Sequence, residues 1–134
     1  MTVTTRDIEI LARTVYGEAR GESDLGKLAV AWVVVNRARK YHVGLGEACL
    51  LSIHFSCWNN GRANDANQLK MMMANLSHPA FARCMLAALQ AAHELVPDPT
   101  DGAAHYCAIG IEPDWAEGKT YETIGHHKFF RGIA

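Results

Sequence analysis

The stretch that decides the fold is ARTVYGEARGESDLGKLAVAWVVVNR, residues 12–37. Its first part completes a helical pattern that begins with a T-x-x-D capping box at Thr4, and Gly21 interrupts that pattern. Its second part contains an unbroken apolar run over Leu28–Val35, which predicts a helix that other elements enclose. The stretch therefore predicts two consecutive helices, of which the second is central to the fold.

Periodicity sets the bounds of the predicted helices. The first runs over Thr5–Ala19, on an apolar stripe that consists of Ile8, Leu11, Ala12 and Val15. The second runs over Asp24–Arg39, with Ser23 as its N-cap. A third long helix begins near Pro79 and ends before Pro97. Its predicted buried stripe consists of Phe81, Cys84, Met85, Ala88, Ala92 and Leu95.

The segments between and after these helices are rich in turn-forming residues. Gly44 and Gly46 predict a loop, and Glu47–His54 predicts a short helix. Residues 56–68 contain four Asn residues and Gly61, which predict an irregular segment. Residues 105–130 mix glycines with short aromatic and β-branched pieces, which predict a small sheet or hairpin. The predicted fold class is therefore mainly α (α+β), with a small β or irregular C-terminal part.

Length and composition limit the class of protein. A chain of 134 residues has the usual size of one domain. A hydrophobic fraction of 49% and a charged fraction of 20% predict a folded core and exclude bulk disorder. Thirteen Lys and Arg residues against fourteen Asp and Glu residues give a net charge of -1. This balance argues against nucleic acid as a partner, because phosphate binding requires a basic surface.

The apolar pattern predicts neither a membrane span nor a signal peptide. The longest apolar run has eight residues, far fewer than the roughly 20 that cross a bilayer. The N-terminal sequence MTVTTRDIEI lacks the apolar core of a signal peptide. We therefore expect a protein that is made in the cytoplasm and forms no stable membrane association.

The spacing of cysteines and histidines predicts no metal site and no cofactor. The four cysteines contain no CxxC pair and are interpreted as buried apolar residues, namely Cys49, Cys57, Cys84 and Cys107. His126 and His127 are adjacent, so on a strand they point to opposite sides and do not both bind one ion.

One carboxylate extends an apolar face. Glu18 follows Val15 by three residues and Leu11 by seven, so it continues the apolar stripe at the C-terminal end of the first predicted helix. Burial and the negative end of the helix dipole both favour the protonated acid there. Such an acid can donate its proton near neutral pH. The alternative is a solvated ion pair with Arg20 or Arg13.

Charged residues also mark the two ends of the second predicted helix. Glu22 precedes Ser23 at the N-terminal end, where the helix dipole favours the ionised form. Glu22 is therefore interpreted as a charged helper of the first carboxylate or as a helix cap. Arg37 near the C-terminal end is interpreted as a cation that complements the dipole.

These motifs resemble those of the SleB-type cell wall hydrolases, the spore cortex-lytic enzyme family, and in particular its compact single-domain members from phages and prophages. The resemblance rests on residues 12–37, in which the specific motif GEARGE precedes AVAWVVVNR. It continues in FSCWN at 55–59, GAAHY at 102–106 and IGHHKFF at 124–130, although FSCWN is a variant form.

The resemblance implies a lysozyme-like fold, a single catalytic domain over residues 1–134, and cleavage of peptidoglycan. The expected bond is the β-1,4 bond between N-acetylmuramic acid and N-acetylglucosamine. Glu18 matches the catalytic glutamate of the family. The resemblance favours lytic transglycosylase chemistry, in which Glu18 protonates the leaving oxygen, then accepts a proton from the muramoyl 6-hydroxyl, and a 1,6-anhydro end results.

The resemblance also implies the partner and the cellular role. The expected partner is the peptidoglycan glycan strand, and the expected assembly state is a monomer. The expected role is that of a phage or prophage endolysin. Such an enzyme is made in the host cytoplasm and acts on the cell wall in the periplasm after release.

Six residues are predicted to contact the substrate: Glu22, Ser56, Trp58, Asn59, Tyr106 and His126. Ser56 and Asn59 can hydrogen-bond sugar hydroxyls or N-acetyl groups, although both also favour turns. Trp58 can stack on a sugar ring or anchor its loop in the core. Tyr106 can orient the catalytic glutamate or stabilise the oxocarbenium-like species, and His126 can support the cleft.

Four alternative functions remain open from the sequence. A muramidase would need a second carboxylate opposite the first, and its candidates are Glu22, Asp24, Asp65 and Asp114. A Cys–His amidase would use Cys57 with His105 or His126. A zinc amidase and a peptidoglycan-binding protein without activity are the other two.

Overall fold

The computed structural model describes residues 2–51 and 70–133, in which four helices of six or more residues precede a three-stranded sheet. The helices are α1 (Thr5–Ala19), α2 (Asp24–Tyr41), α3 (Leu45–Leu50) and α4 (Pro79–Ala92). The strands are β1 (His105–Ala108), β2 (Tyr121–Ile124) and β3 (His127–Phe130). The predicted mainly α fold with a small C-terminal sheet is confirmed. The predicted irregular segment 56–68 lies outside the described residues.

The capping box predicted at the start of α1 is present. The Thr4 hydroxyl accepts from the Asp7 backbone N–H at 3.1 Å, and an Asp7 carboxylate oxygen accepts from the Thr4 backbone N–H at 3.0 Å. Both bonds satisfy donors that have no partner inside the helix. Helix α1 has the predicted bounds and buries the predicted stripe against its neighbours.

Helix α2 is enclosed, as the apolar run predicts. The Ser23 hydroxyl accepts from the Gly26 backbone N–H at 3.2 Å and caps the first turn. The helix ends at Tyr41, two residues later than predicted, where His42 adopts a left-handed conformation with φ 56°. Its apolar residues from 28 to 35 are all buried, and α2 contacts α1, α3, α4 and β2. None of the described helices is both long and apolar enough to cross a membrane.

The loop predicted at Gly46 is wrong, because helix α3 begins at Leu45 and contains that glycine. The Gly46 backbone N–H donates to Asp7 Oδ1 at 3.0 Å. A Cβ at this position would lie 3.0 Å from the same oxygen and 3.1 Å from Ile10 Cδ1. Glycine therefore serves close packing of α3 on α1 here rather than a turn.

Helix α4 starts at Pro79 as predicted, but it ends at Ala92, before the end of the apolar pattern that predicted it. Phe81, Cys84 and Ala88 are buried, and Met85 and Ala92 are half-buried. The prediction that Leu95 belongs to the buried stripe is wrong, because Leu95 is 69% exposed. The helix has already ended at this point, and Glu94 adopts φ 53°, so Leu95 leaves the helical face.

The sheet has the strand order β1-β3-β2, and both pairs are antiparallel. Tyr106 on β1 pairs with Phe129 on β3, and both pack against the helical core. Their neighbours His105 and Phe130 are also paired and lie on the opposite face, because successive side chains alternate. The sheet therefore presents one face, with Tyr106, to the helices.

Asp7 links the start of α1 to α3, so we expect Asp7→Ala to lower the free energy of unfolding by about 1 to 2 kcal/mol. Burial alone would raise the pKa of Asp7, but hydrogen bonds from Thr4 and Gly46 lower it below its ordinary value of 3.8. The contribution is therefore present above that value and is lost as the pH falls through the folded-state pKa.

Urea unfolding at several pH values checks this expectation. The difference between wild type and Asp7→Ala should be constant near neutral pH and should shrink below about pH 4. Glu9→Ala is the control, because Glu9 is exposed and forms a surface ion pair with Arg13, and we expect it to cost less than about 0.5 kcal/mol. Equal losses in the two variants would contradict the special role of Asp7.

Candidate active site

The last turn of α1 and the strand β1 are joined by a hydrogen bond between Tyr106 and Glu18. The Tyr106 hydroxyl donates to Glu18 Oε1 at 2.5 Å, across 88 residues of sequence. Glu18 is half-buried rather than buried, because it lies at the end of the apolar stripe. Arg13, one of its two predicted alternative partners, instead contacts Glu9 at 3.3 Å.

The ring of Tyr106 is held from two sides. It stacks on the buried ring of Phe129, with centroids 5.7 Å apart and an interplanar angle of 26°. It also meets the ring of His127 edge to face, with centroids 5.1 Å apart and an interplanar angle of 88°. These contacts restrict the direction in which the hydroxyl can point. The sheet thus orients the donor that contacts Glu18.

This arrangement suits a carboxyl group that exchanges a proton. A hydroxyl that donates to a carboxylate favours the charged form. A donor aimed at the place where charge develops stabilises that charge without reorganisation. Tyr106 can therefore stabilise Glu18 after the carboxyl group has given up its proton.

Two side chains of α2 hold the segment that leads into β1. Arg37 Nε donates to the Ala104 carbonyl at 2.6 Å, and Asn36 Nδ2 donates to the Ala103 carbonyl at 2.8 Å. The prediction that Arg37 complements the dipole at the helix end is wrong, because α2 continues to Tyr41. Arg37 instead binds a main-chain carbonyl two residues before Tyr106.

Arg37 also brings positive charge to the site. Its burial lowers the pKa of Arg37, whereas the neighbouring Tyr106, Tyr41 and Glu18 favour its charged form. Sequence reasoning missed this role. The sequence did contain a signal for it, namely the position of Arg37 in the helix. Arg37 follows Val33 by four residues and therefore lies on the same buried face.

Glu22 lies between α1 and α2, and its side chain is only 8% exposed. Its Oε1 accepts from the His126 backbone N–H at 2.8 Å, and its Oε2 lies 2.7 Å from His126 Nδ1. His127 Nδ1 lies 3.5 Å from Oε1. Burial alone would raise the pKa of Glu22, but the His126 hydrogen bonds and the attraction of His127 and His126 lower it below its ordinary value.

The structure thus brings together four of the residues predicted from sequence. Glu18 and Tyr106 form one pair, and Glu22 and His126 form another. Both carboxylate oxygens of Glu22 contact the β2–β3 hairpin, and the cap of α2 is Ser23 rather than Glu22. The other three predicted contact residues, Ser56, Trp58 and Asn59, lie outside the described part of the chain.

The other candidate carboxylates are placed differently. Asp24 is exposed and forms an ion pair with Arg83 at 2.7 Å. Asp114 lines a separate cavity of about 400 Å³ together with Tyr121 and Lys128. Tyr121 and Lys128 belong to the sheet face opposite Tyr106. Asp65 lies outside the described residues.

The described cysteines do not suit nucleophilic catalysis. Burial raises the pKa of Cys49 to about 12 and that of Cys84 to about 11. Burial also raises the pKa of the half-buried Cys107. These thiols are therefore protonated at neutral pH, whereas the thiolate is the nucleophile. Cys57, the predicted alternative nucleophile, lies outside the described residues.

Within residues 2–51 and 70–133, no three His, Cys, Asp or Glu side chains group to hold a metal ion.

A family model described as cell wall hydrolase matches residues 21–130. The matched range begins three residues after Glu18. The chain is also 56% identical over 36 residues to the cell wall hydrolase CwlJ of Halalkalibacterium halodurans. That match covers 27% of this chain and 25% of the relative. The chain thus spans a quarter or less of the length of the first curated relatives it matches.

Two solved structures resemble the whole fold. One is the catalytic domain of the germination-specific lytic transglycosylase SleB from Bacillus anthracis, with a TM-score of 0.73 and 25% identity. That match covers 96% of each chain. The other is the catalytic domain of the Bacillus cereus SleB protein, with a TM-score of 0.70 and 26% identity. It covers 97% of this chain and 93% of that chain.

We expect Arg37→Lys to lower the free energy of unfolding by about 2 kcal/mol, because an ammonium group does not reproduce the hydrogen bond of the buried guanidinium group to the Ala104 carbonyl. Denaturant unfolding measures the loss. Arg39→Lys on the same helix is the control, because Arg39 is exposed and pairs with Glu94 at 2.8 Å. The control should lose less than about 1 kcal/mol, and an equal loss would contradict the role of Arg37.

Proposed function

Because the chain belongs to the cell wall hydrolase family, we propose that it degrades peptidoglycan as a lytic transglycosylase. The proposed target is the β-1,4 bond between N-acetylmuramic acid and N-acetylglucosamine. The observation that carries the proposal is the hydrogen bond from the Tyr106 hydroxyl to Glu18 at 2.5 Å. It gives a half-buried carboxyl group a fixed donor for its ionised state. The similar Bacillus anthracis protein is itself described as a lytic transglycosylase, which supports the same chemistry here.

In the first step of this proposal, the Glu18 carboxylic acid donates its proton to the glycosidic oxygen. The bond from that oxygen to the anomeric carbon of N-acetylmuramic acid breaks, and the leaving sugar departs with a hydroxyl group. Positive charge develops on the sugar ring as an oxocarbenium-like species. The negative charge left on Glu18 is stabilised by the Tyr106 hydroxyl and by the buried cation Arg37.

In the second step, the muramoyl 6-hydroxyl attacks the anomeric carbon. The Glu18 carboxylate accepts the hydroxyl proton, so the acid is restored and a 1,6-anhydro ring closes. No water is consumed, and the reaction needs one carboxyl group that first donates and then accepts a proton. A neighbour that stabilises the ionised form, as Tyr106 does, lowers the cost of the first step, in which the carboxyl group gives up its proton.

The positions of the other carboxylates favour this chemistry over muramidase action. A hydrolysing glycosidase needs a second carboxylate near the bond that is cut. Both oxygens of Glu22 are occupied by the hairpin, and Asp24 is paired with Arg83. Asp114 lies with residues of the opposite face of the sheet. Among the carboxyl groups in residues 2–51 and 70–133, these placements support a mechanism in which Glu18 is the essential one.

We expect Glu18→Gln to fold normally and to lose about 10²- to 10⁴-fold in turnover, because the amide keeps the shape of the side chain but cannot donate the proton. Release of muropeptides from purified peptidoglycan measures turnover, and denaturant unfolding verifies the fold. Glu47→Gln is the matched control, because Glu47 is exposed on α3, and its turnover should equal that of wild type. Full activity in Glu18→Gln would overturn the assignment.

Mass spectrometry of wild-type products formed in ¹⁸O-labelled water tests the reaction type. We expect 1,6-anhydro-muramic ends without ¹⁸O, because the nucleophile is the sugar's own hydroxyl. Reducing muramic ends that contain ¹⁸O would establish a muramidase instead. Free stem peptides would establish an amidase, and either result would refute the transglycosylase.

We further propose that residues 1–134 act as a single catalytic domain and serve as a phage or prophage endolysin. This proposal rests on the resemblance of the motifs to compact members of the family. When the chain is produced in a bacterial cytoplasm, we expect lysis only after a separate agent permeabilises the membrane. Lysis without that agent, or no lysis with it, would contradict the proposed role.

A further inference from the structure

The carboxylate of Glu22 holds the turn between β2 and β3, and we call its contact with Gly125 and His126 the clamp. Its Oε1 accepts from the His126 backbone N–H at 2.8 Å, and this bond joins the entrance of α2 to the hairpin across 104 residues. The His126 ring also reaches Oε2, but the ring is 83% exposed. Water competes for such an exposed contact. The backbone hydrogen bond is therefore the main element of the clamp.

The turn is shaped to receive this carboxylate. Gly125 adopts φ +59°, and a Cβ on it would overlap Glu22 Oε1. Because the two atoms cannot share that space, only glycine leaves room for the oxygen. The cation Lys27 does not compete for the carboxylate, because its Nζ donates to the backbone carbonyl of Glu22.

The clamp reaches the candidate active site through His127, which follows the turn and starts β3. Its side chain is 14% exposed, and its Nδ1 lies 3.5 Å from Glu22 Oε1. The same ring stands edge to face against the ring of Tyr106 at 5.1 Å. Tyr106 in turn donates to Glu18. A continuous chain of contacts therefore leads from Glu22 to the proposed acid.

We propose that Glu22 is a positioning residue that fixes the Gly125–His126 turn, and through it His127, so that Tyr106 stays aimed at Glu18. Glu22 does not touch the reacting atoms in this scheme. The inference rests on the proposed function, because Glu18 is the group that Tyr106 must orient. The buried carboxylate of Glu22 serves the geometry of the site rather than substrate binding.

A double-mutant cycle on turnover tests this proposal. We expect Glu22→Ala to lower kcat about tenfold with little change in KM, because the Tyr106 hydroxyl loses its alignment. We expect Tyr106→Phe to lower kcat by about tenfold or more, since the hydroxyl itself is removed. The double variant should be no slower than Tyr106→Phe alone, because Glu22 acts only through that hydroxyl. Losses that multiply would overturn the proposal.

A conservative variant separates positioning from stability. The amide oxygen of Glu22→Gln can still accept from the His126 N–H, so this variant should retain most of the kcat that Glu22→Ala loses. Retention of no more activity than in Glu22→Ala would count against the clamp. All variants are assayed at a temperature where denaturant unfolding shows them to be folded.

The two glycine variants provide a matched pair. Gly118 adopts φ +71° and a Cβ added to it would have nothing within 4 Å, so Gly118→Ala imposes similar backbone strain without touching Glu22. We expect Gly125→Ala to lower kcat about tenfold, because it displaces the carboxylate. We expect Gly118→Ala to stay within about twofold of wild type. Equal effects would overturn the proposal.

A spectroscopic measurement keeps this inference separate from the proposed function. The ¹³C resonances of the Tyr106 ring should move in Glu22→Ala and in Gly125→Ala but not in Gly118→Ala. If wild type releases no muropeptide, the proposed function fails, and the Tyr106 resonances still report on the clamp. If wild type is active and these resonances do not move, only the clamp is refuted.

Discussion

The enclosure of α2 is the constraint on which the rest of the structure depends. A helix that is apolar on nearly every side is stable only when other elements cover it, and α1, α3, α4 and the sheet do so. Because α2 is held by these contacts, the residues near its two ends have fixed positions relative to the other elements. Glu22 stands just before its first turn, and Arg37 lies in its C-terminal half. Both residues contact the C-terminal part of the chain.

The candidate site forms where the helices and the sheet meet. Glu18 comes from the end of α1, and Tyr106 comes from the strand that Asn36 and Arg37 anchor. The geometry of the candidate site is therefore maintained by part-buried hydrogen bonds between distant segments. Such bonds are costly to leave unmade in a low dielectric, which keeps the two parts in register. This assembly places one oriented hydroxyl group, that of Tyr106, beside the half-buried carboxyl group of Glu18.

Local patterns predicted the helices accurately because the relevant forces are local. The capping box at Thr4 and the apolar spacing after it define α1 to the residue, and Ser23 begins α2 as expected. Two of the errors occur where a distant residue changes the local preference. Gly46 looks like a loop residue, but its N–H binds Asp7 and its lack of a side chain admits α1. Arg37 looks like a helix-end cation, but it binds a carbonyl 67 residues away.

The sequence by itself determined the mainly helical fold, the family resemblance and the identity of Glu18 as the candidate acid, because spacing and motif are properties of the linear chain. The resemblance proposed Tyr106 as a group that can orient this acid, but only the tertiary structure decided which hydrogen bonds hold the site. The bonds of Tyr106, Arg37 and Glu22 join residues 67 to 104 positions apart, and the spacing of residues along the chain does not specify contacts at such distances. The positions of these polar side chains depend on the packing of α2, because a helix that is buried on all sides restricts where neighbouring polar groups can lie.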